Sequence, residues 1–193
     1  MSNLFMISDL HFGHKNIMKF AGDYRHGDCP ESNIQSIIDM WNHKVNKKDK
    51  VYVLGDTAFT QDGFDALDEL AGRKVLIRGN HDNYFKTEDW LKHFESVESL
   101  VKYKGFWLSH APIHPCELRG KQNIHGHVHQ NSVMKSGIDT QADVRYINVC
   151  VENVGGAPIE FNRIQEGERG WLHKWTSEEK LELLCVQRKP LLG

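Results

Sequence analysis

Lys74-Val75-Leu76-Ile77-Arg78-Gly79-Asn80-His81-Asp82 holds the pattern on which the fold turns. Lys74 to Ile77, apolar from Val75 on, reads as a buried strand. It stops at Gly79-Asn80-His81-Asp82, a tight segment of hydrogen-bonding side chains. The same arrangement recurs on either side. Val51-Tyr52-Val53-Leu54 stops at Gly55-Asp56, and Leu4-Phe5-Met6-Ile7 stops at Ser8-Asp9-Leu10-His11. Gly105 to Leu108 stops at Ser109-His110. Gln122 to Ile124 leads into His125-Gly126-His127-Val128-His129. Each run ends in Asp, Asn or His.

Helical spacing fills the intervals. Ile34, Ile37, Ile38, Trp41 and Val45 predict an amphipathic helix from Asn33, with Ser32 or Asn33 as N-cap. Phe64, Leu67, Leu70 and Ala71 predict a second helix, and residues 86–94 a third. Val97 to Tyr103 and Gly105 to Leu108 read as a hairpin, and Tyr146 to Val151 as a further strand. From Gln165 the chain reads as a C-terminal helix or strand. Strands alternating with helices, followed by strand-rich sequence, predict an α/β (α+β layered) fold with one or two sheets flanked by helices.

The chain has 193 residues, 39% hydrophobic and 26% charged, which suits one domain with a sizeable core. We expect a single domain over 1–193, with motifs within 9–129 and further strands or a helix within 144–193. The net charge of −2 offers no general basic field for nucleic acid. Cys29, Cys116, Cys150 and Cys185 form no CxxC pair and read as free thiols of a reducing compartment. The N-terminus lacks the basic start of a signal peptide, and no run approaches the ~20 apolar residues that span a bilayer. The expected location is the cytoplasm, without a membrane partner.

Open α/β sheets bind ligands beyond the carboxyl ends of their strands. The polar strand ends would then line one crevice with carboxylate, amide and imidazole donors, a set suited to Mn, Fe, Zn or Ni. Each motif alone has a plainer reading. An Asp after a strand often forms a turn, and Gly-Asn-His-Asp is a reasonable turn by itself. His-Val-His places both rings on one side of a strand, with or without a metal. Their joint occurrence, each after an apolar run, argues against turns alone.

In this combination the sequence resembles the calcineurin-like metallophosphoesterase superfamily, whose signature is DxH, GD, GNH followed by Asp or Glu, a single His, and GHxH. All appear in order, as Asp9-Leu10-His11, Gly55-Asp56, Gly79-Asn80-His81-Asp82, His110 and Gly126-His127-Val128-His129. Ser8-Asp9-Leu10-His11-Phe12-Gly13-His14-Lys15-Asn16-Ile17 is similar to a compact bacterial and phage branch. The resemblance implies a β-sandwich of two sheets flanked by helices. It also implies two divalent ions, with manganese expected and iron, zinc, nickel or magnesium as alternatives. Asp9, His11 and His129 would hold one ion, and Asn80, His110 and His127 the other. Asp56 would bridge them, one oxygen to each. A hydroxide shared by the ions would attack phosphorus. His81 would serve the leaving oxygen as general acid or electrostatic partner, or only support the ligands through a hydrogen bond. Asp82 would orient His81, or cap the helix that follows.

Candidate substrate contacts are His14, after the first motif, and Arg119, in the loop between His110 and the last motif. His114 shares that loop. Arg78 precedes the Gly-Asn-His-Asp motif, where strand alternation can turn it away from the site. His125 is expected to stay out of the ligand set. The sequence also departs from part of the superfamily. Thr57-Ala58-Phe59 stands where the protein Ser/Thr phosphatases carry a further Asp and then Arg-Gly, which disfavours a phosphoprotein substrate. The length and charge disfavour a dedicated duplex nuclease. The expected activity is hydrolysis of phosphodiesters or phosphomonoesters of small substrates such as nucleotides or cyclic nucleotides. The competing readings are a non-catalytic binding or scaffold module of the same fold, and a structural zinc protein. The latter is disfavoured because the cysteines lie outside the motifs.

Overall fold

The computed structural model describes residues 2–136 and 138–167. In chain order the elements begin with β1 (Leu4–Ile7), α1 (Ile17–Ala21), α2 (Pro30–Lys44), β2 (Lys50–Val53) and α3 (Gln61–Asp65). Then come β3 (Arg73–Ile77), α4 (Thr87–Trp90), β4 (Ser96–Glu98), β5 (Leu100–Tyr103), β6 (Phe106–Ser109) and β7 (Gln122–His125). The described elements end with β8 (Met134–Lys135), β9 (Ile138–Ala142), β10 (Tyr146–Asn148), β11 (Ile159–Glu160) and α5 (Phe161–Gln165).

One sheet has the order β11-β1-β2-β3-β4 and a second the order β10-β7-β6-β5, while β8 and β9 pair separately. β1 to β4 run parallel, as do β6, β7 and β10. The side-chain period of two sorts the core. Phe5, Ile7, Val51, Val53 and Leu76 pack with Ile37, Trp41, Phe64 and Trp90, so helical segments cover one face of the first sheet. Met6, Tyr52, Leu54, Val75 and Ile77 pack with Phe106, Leu108, Ile124, Ile147 and Val149 of the second sheet. The result is the expected layered α/β arrangement, two sheets face to face with helices outside. The sheets are stitched together where Ser8 N–H donates to Val149 C=O (2.9 Å) and Val151 N–H to Ser8 C=O (2.9 Å).

Several elements differ from the sequence expectation. α2 starts at Pro30, ahead of Asn33, because Cys29 is its N-cap. Ser32 Oγ accepts from Cys29 N–H (3.1 Å) while Cys29 Sγ accepts from Ser32 N–H (3.4 Å), a reciprocal box. The run from Val97 to Tyr103 is not one hairpin arm. β4 pairs with β3, and β5 pairs with β6 in the other sheet, so the chain changes sheets at Ser99. Lys104 and Gly105, with φ of 42° and 90°, make the tight turn between β5 and β6. The second and third expected helices shrink to α3 with a following 3-10 turn (Ala66–Glu69) and to α4. β11 and α5 fall within the further strands or helix expected over 144–193, although no individual run marks them. The expected element beyond Gln165 lies outside the described residues after Gly167, as does Cys185. Cys29, Cys116 and Cys150 are free thiols. No helix among the described residues is long and apolar enough to cross a membrane.

Candidate metal centre

Strand direction assembles the site. β1, β2 and β3 are parallel, so Asp9, Asp56 and Asn80 emerge beyond the same end of the first sheet. β6 and β7 are also parallel, and deliver His110, His127 and His129 from the second. Two trios of ligand atoms result, Asp9 with His11 and His129, and Asp56 with His110 and His127, each within 4.8 Å of one another. Asn80 Oδ1 lies 2.8 Å from His110 Nε2 and joins the second trio.

The trios meet at Asp56. Its Oδ2 is 3.8 Å from His11 Nε2 and 3.4 Å from His110 Nε2. Its Oδ1 accepts from His81 N–H at 2.9 Å. The sequence picture of one carboxylate oxygen per ion is therefore replaced by a single oxygen facing both trios, because the other is engaged by backbone.

The same division of labour holds at other positions. Asp9 Oδ2 accepts from His127 N–H (2.8 Å) and Cys150 Sγ–H (3.1 Å), while Oδ1 is buried with no hydrogen bond. His110 Nδ1 donates to Leu54 C=O at 2.8 Å, which turns Nε2 toward Asn80 and the cluster. His129 Nδ1 lies 3.0 Å from Glu152 Oε1, leaving its Nε2. His11 Nε2 is 3.6 Å from Asp9 Oδ1, and neither atom has a hydrogen-bond partner among the described residues. Buried polar atoms without partners cost about 1–3 kcal/mol each. An Asp oxygen and an imidazole nitrogen facing one void suit a cation, so the residues fit a divalent metal on their own geometry and chemistry.

Close backbone packing makes this possible. A Cβ at Gly126 would fall on Ser8 Oγ and Asp9 Oδ2, and one at Gly79 would fall on Asp56 Oδ1. Asp9, His11, Asp56, His127 and His129 all have φ between 50° and 71°. Left-handed backbone is uncommon outside glycine, although Asp and His adopt it more readily than most, and five such residues together mark a functional site.

Electrostatics agree with the geometry. Burial opposes charge on Asp9, yet His11, His110 and His129 hold its carboxyl well below the usual range. Burial also opposes charge on His110, but Asp56 and Asp9 raise it to about 9. Burial lowers His11. The Cys150 thiol is pushed well up by burial, with Asp9 and Glu152 adding to it, and so remains a donor.

The other expected residues divide. His81 is exposed at the rim, its ring centroid 6.2 Å from that of His11. Asp82 neither orients the His81 ring nor caps α4. Its buried carboxylate accepts from the N–H groups of Asp56 (2.9 Å), Thr57 (2.8 Å) and Gly79 (2.7 Å), since two tight loops present those donors together. Lys86, not Asp82, is the N-cap of α4. His14 stands near the cluster, its ring 5.3 Å from that of His11. The Arg119 guanidinium is exposed and pairs with Glu117 at 3.3 Å. His114 caps a 3-10 turn through Cys116 N–H, and Arg78 binds Asp82 C=O. His125 is buried, with Nδ1 donating to Gly126 C=O (2.8 Å). Burial lowers it to about 4.

Sequence reasoning missed a buried layer beneath the ligands. Arg25 and Glu152 are fully buried and 2.7 Å apart. Arg25 also donates to Asp9 C=O (2.6 Å) and Leu10 C=O (2.9 Å). Despite burial, Arg25 keeps the Glu152 carboxyl low, and Glu152 in turn helps to raise His129. Glu152 follows an apolar run, Val149-Cys150-Val151, as the other site residues do. Arg25 carried no such signal.

This arrangement of strand-end carboxylates, amide and imidazoles defines a class. Residues 3–188 match the calcineurin-like phosphoesterase family, and the chain belongs to it. It is 31% identical over 175 residues to an uncharacterised protein of Methanocaldococcus jannaschii, covering 85% of this chain and 90% of that one. It is 30% identical over 175 residues to the Gene 66 protein of Mycobacterium phage L5, covering 72% and 83%. Among solved structures, a protein of unknown function from Aquifex aeolicus superposes with a TM-score of 0.66 at 25% identity, covering 86% of this chain and 99% of that one.

Proposed function

We propose that this protein is a dinuclear metal-dependent phosphoesterase that hydrolyses phosphodiesters or phosphomonoesters of compact, nucleotide-like substrates. The observation that carries the reading is Asp56 Oδ2, which faces one imidazole of each trio, at 3.8 Å and 3.4 Å. Asp9, His11 and His129 would hold one ion and Asn80, His110 and His127 the other. Two divalent cations there would acidify a water and neutralise charge on the phosphate, with manganese the expected metal. The chain's own parts are positional. Leu54 C=O and Glu152 fix the imidazoles that they touch, so that Nε2 of His110 and of His129 faces the site. His81, exposed beside the cluster, would meet the leaving oxygen. Its backbone N–H meanwhile fixes Asp56.

The test is to strip the protein with chelator, resupply Mn²⁺, Mg²⁺, Zn²⁺ or Ni²⁺, and follow a nitrophenyl phosphodiester and the matching monoester. Metal-restored turnover is expected, and the ratio of the two rates assigns the preference. Folded protein that binds two ions and turns over neither ester would overturn the reading in favour of a binding module.

A further inference from the structure

A row of aromatic rings runs outward from the cluster. Phe59 stacks on His11 with centroids 4.9 Å apart and on His14 at 4.7 Å. His14 continues to Phe20 at 6.2 Å, near-parallel at 30°. On the other side Phe59 meets Tyr84 at 5.3 Å. The centre of the row is thus in contact with a candidate metal ligand, and its two ends are open. Phe20 is 68% exposed and Tyr84 60%.

Single exposed apolar side chains are ordinary on protein surfaces. Here their placement is selective. The large hydrophobic side chains exposed among the described residues are Phe20, Tyr84, Leu91, Leu100, Met134 and Val144. Both aromatic members of that set belong to this one row. Aromatic surface left in water beside a polar cluster is characteristic of a ligand-binding face. Flat rings with accessible faces gain most from a flat partner. Every nucleobase offers one, and base stacking on aromatic side chains tolerates any sequence. In a nucleotide the sugar separates base from phosphate. A phosphate on the cluster therefore leaves the base near the rings that begin at His11.

Building on the phosphoesterase reading, we propose that the row Phe20, His14, Phe59 and Tyr84 is a base-stacking subsite. It would take the base of a nucleoside phosphate ester whose phosphate lies on the Asp9–Asp56–His110 cluster. His14, its ring already stacked on Phe59 and Phe20, then supports the exposed end rings rather than ligating phosphate.

Two esters with one leaving group test this: thymidine 5′-(4-nitrophenyl phosphate) and methyl 4-nitrophenyl phosphate, with the manganese-loaded full chain. The wild type is expected to favour the nucleoside ester in kcat/KM by about tenfold or more. Tyr84→Ala and Phe20→Ala should each reduce that preference several-fold, mainly through KM, and Tyr84→Phe should retain it. Calorimetric binding of thymidine 5′-monophosphate and of inorganic phosphate supplies a second readout that needs no turnover. The nucleotide should bind more tightly, and each alanine variant should narrow the difference several-fold. If neither ester is hydrolysed but that binding pattern holds, the hydrolase reading falls and the subsite stands. If the esters turn over with equal efficiency and the nucleotide binds no better than phosphate, the subsite falls and the hydrolase stands. An equal loss for both esters in the alanine variants would make the rings structural and overturn the proposal.

Discussion

Asp9, Asp56, His110 and His129 each have one polar atom engaged by the protein and another facing the cluster. A side chain held in this way reaches a cation with its rotamer already chosen, which lowers the entropy lost on binding. Replacing Asp56 with Asn should reduce both metal content and activity, measurable by elemental analysis and ester hydrolysis on one sample. His81→Ala should retain both ions and lose on the order of 10²-fold in turnover. Loss of metal in that variant would make His81 a ligand. Glu152→Gln removes the charge that orients His129 and should weaken metal binding about 10- to 100-fold in a competition titration with a fluorescent chelator. At this scale the sequence was informative about residues that end strands, because a polar group after an apolar run is conspicuous. It was uninformative about Arg25, Cys150 and the Asp82 carboxylate. Their roles arise from contacts with backbone groups or distant side chains. Arg25 meets Glu152 across 127 positions, and Cys150 meets Asp9 across 141.

Among elements, the loops after β2 and β3 behave as a unit. Asp82 ties the N–H groups of Asp56 and Thr57 to that of Gly79, and Gly55 packs so closely on Gly79 that a Cβ would come within 2.6 Å of its backbone. Hydrogen bonds to a buried carboxylate are each worth roughly 1.5–3 kcal/mol. Asp82→Ala should therefore destabilise the fold by on the order of 3 kcal/mol or more in urea denaturation and also depress metal binding. Asp49 plays a similar part before β2, accepting from Asn3 N–H (2.7 Å) and Asn46 N–H (2.8 Å). Burial opposes its charge, but these donors hold its carboxyl below the ordinary value. A carboxyl lowered on folding contributes stability above its unfolded pKa and loses it as pH falls through the folded one. The stability difference between wild type and Asp49→Asn should thus be full at pH 7 and shrink below about pH 4. The strands β1, β2, β3 and β6 were legible because each holds a compact apolar run, and β7, with Ile124 as its one apolar residue, because it leads into Gly126-His127-Val128-His129. The split between β4 and β5 was not, since Val97 to Tyr103 has no Gly or Pro to mark where the chain leaves one sheet for the other. The short α3 and α4 show tertiary packing overriding helical spacing. Phe64 and Trp90 pack edge to face at 4.9 Å without needing long helices.

Over the whole molecule, the layer between the sheets and the layer beneath the helices are separate clusters joined by strands whose side chains alternate between them. The apolar runs pointed to one or two sheets and the family resemblance to two, whereas which sheet each strand joined depended on pairing over long sequence separations. Each trio takes ligands from both sheets. Asp9 and His11 come with His129, and Asp56 with His110 and His127. A ligand that binds only the folded state stabilises it by about 2.7 kcal/mol at a hundred times its dissociation constant. Manganese added to chelated protein should accordingly raise the melting temperature in a concentration-dependent way, and Asp56→Asn should blunt the rise. An unchanged melting temperature would mean that the folded chain does not take up the metal.

Because neither half of the chain supplies a full donor set, a growing polypeptide would hold no complete site until His129 had been made and the second sheet had closed on the first. Cation uptake would then report that folding is complete. On the proposed function, a truncated or misassembled copy would be left without metal and so without hydrolytic power, a safeguard for the phosphate esters around it.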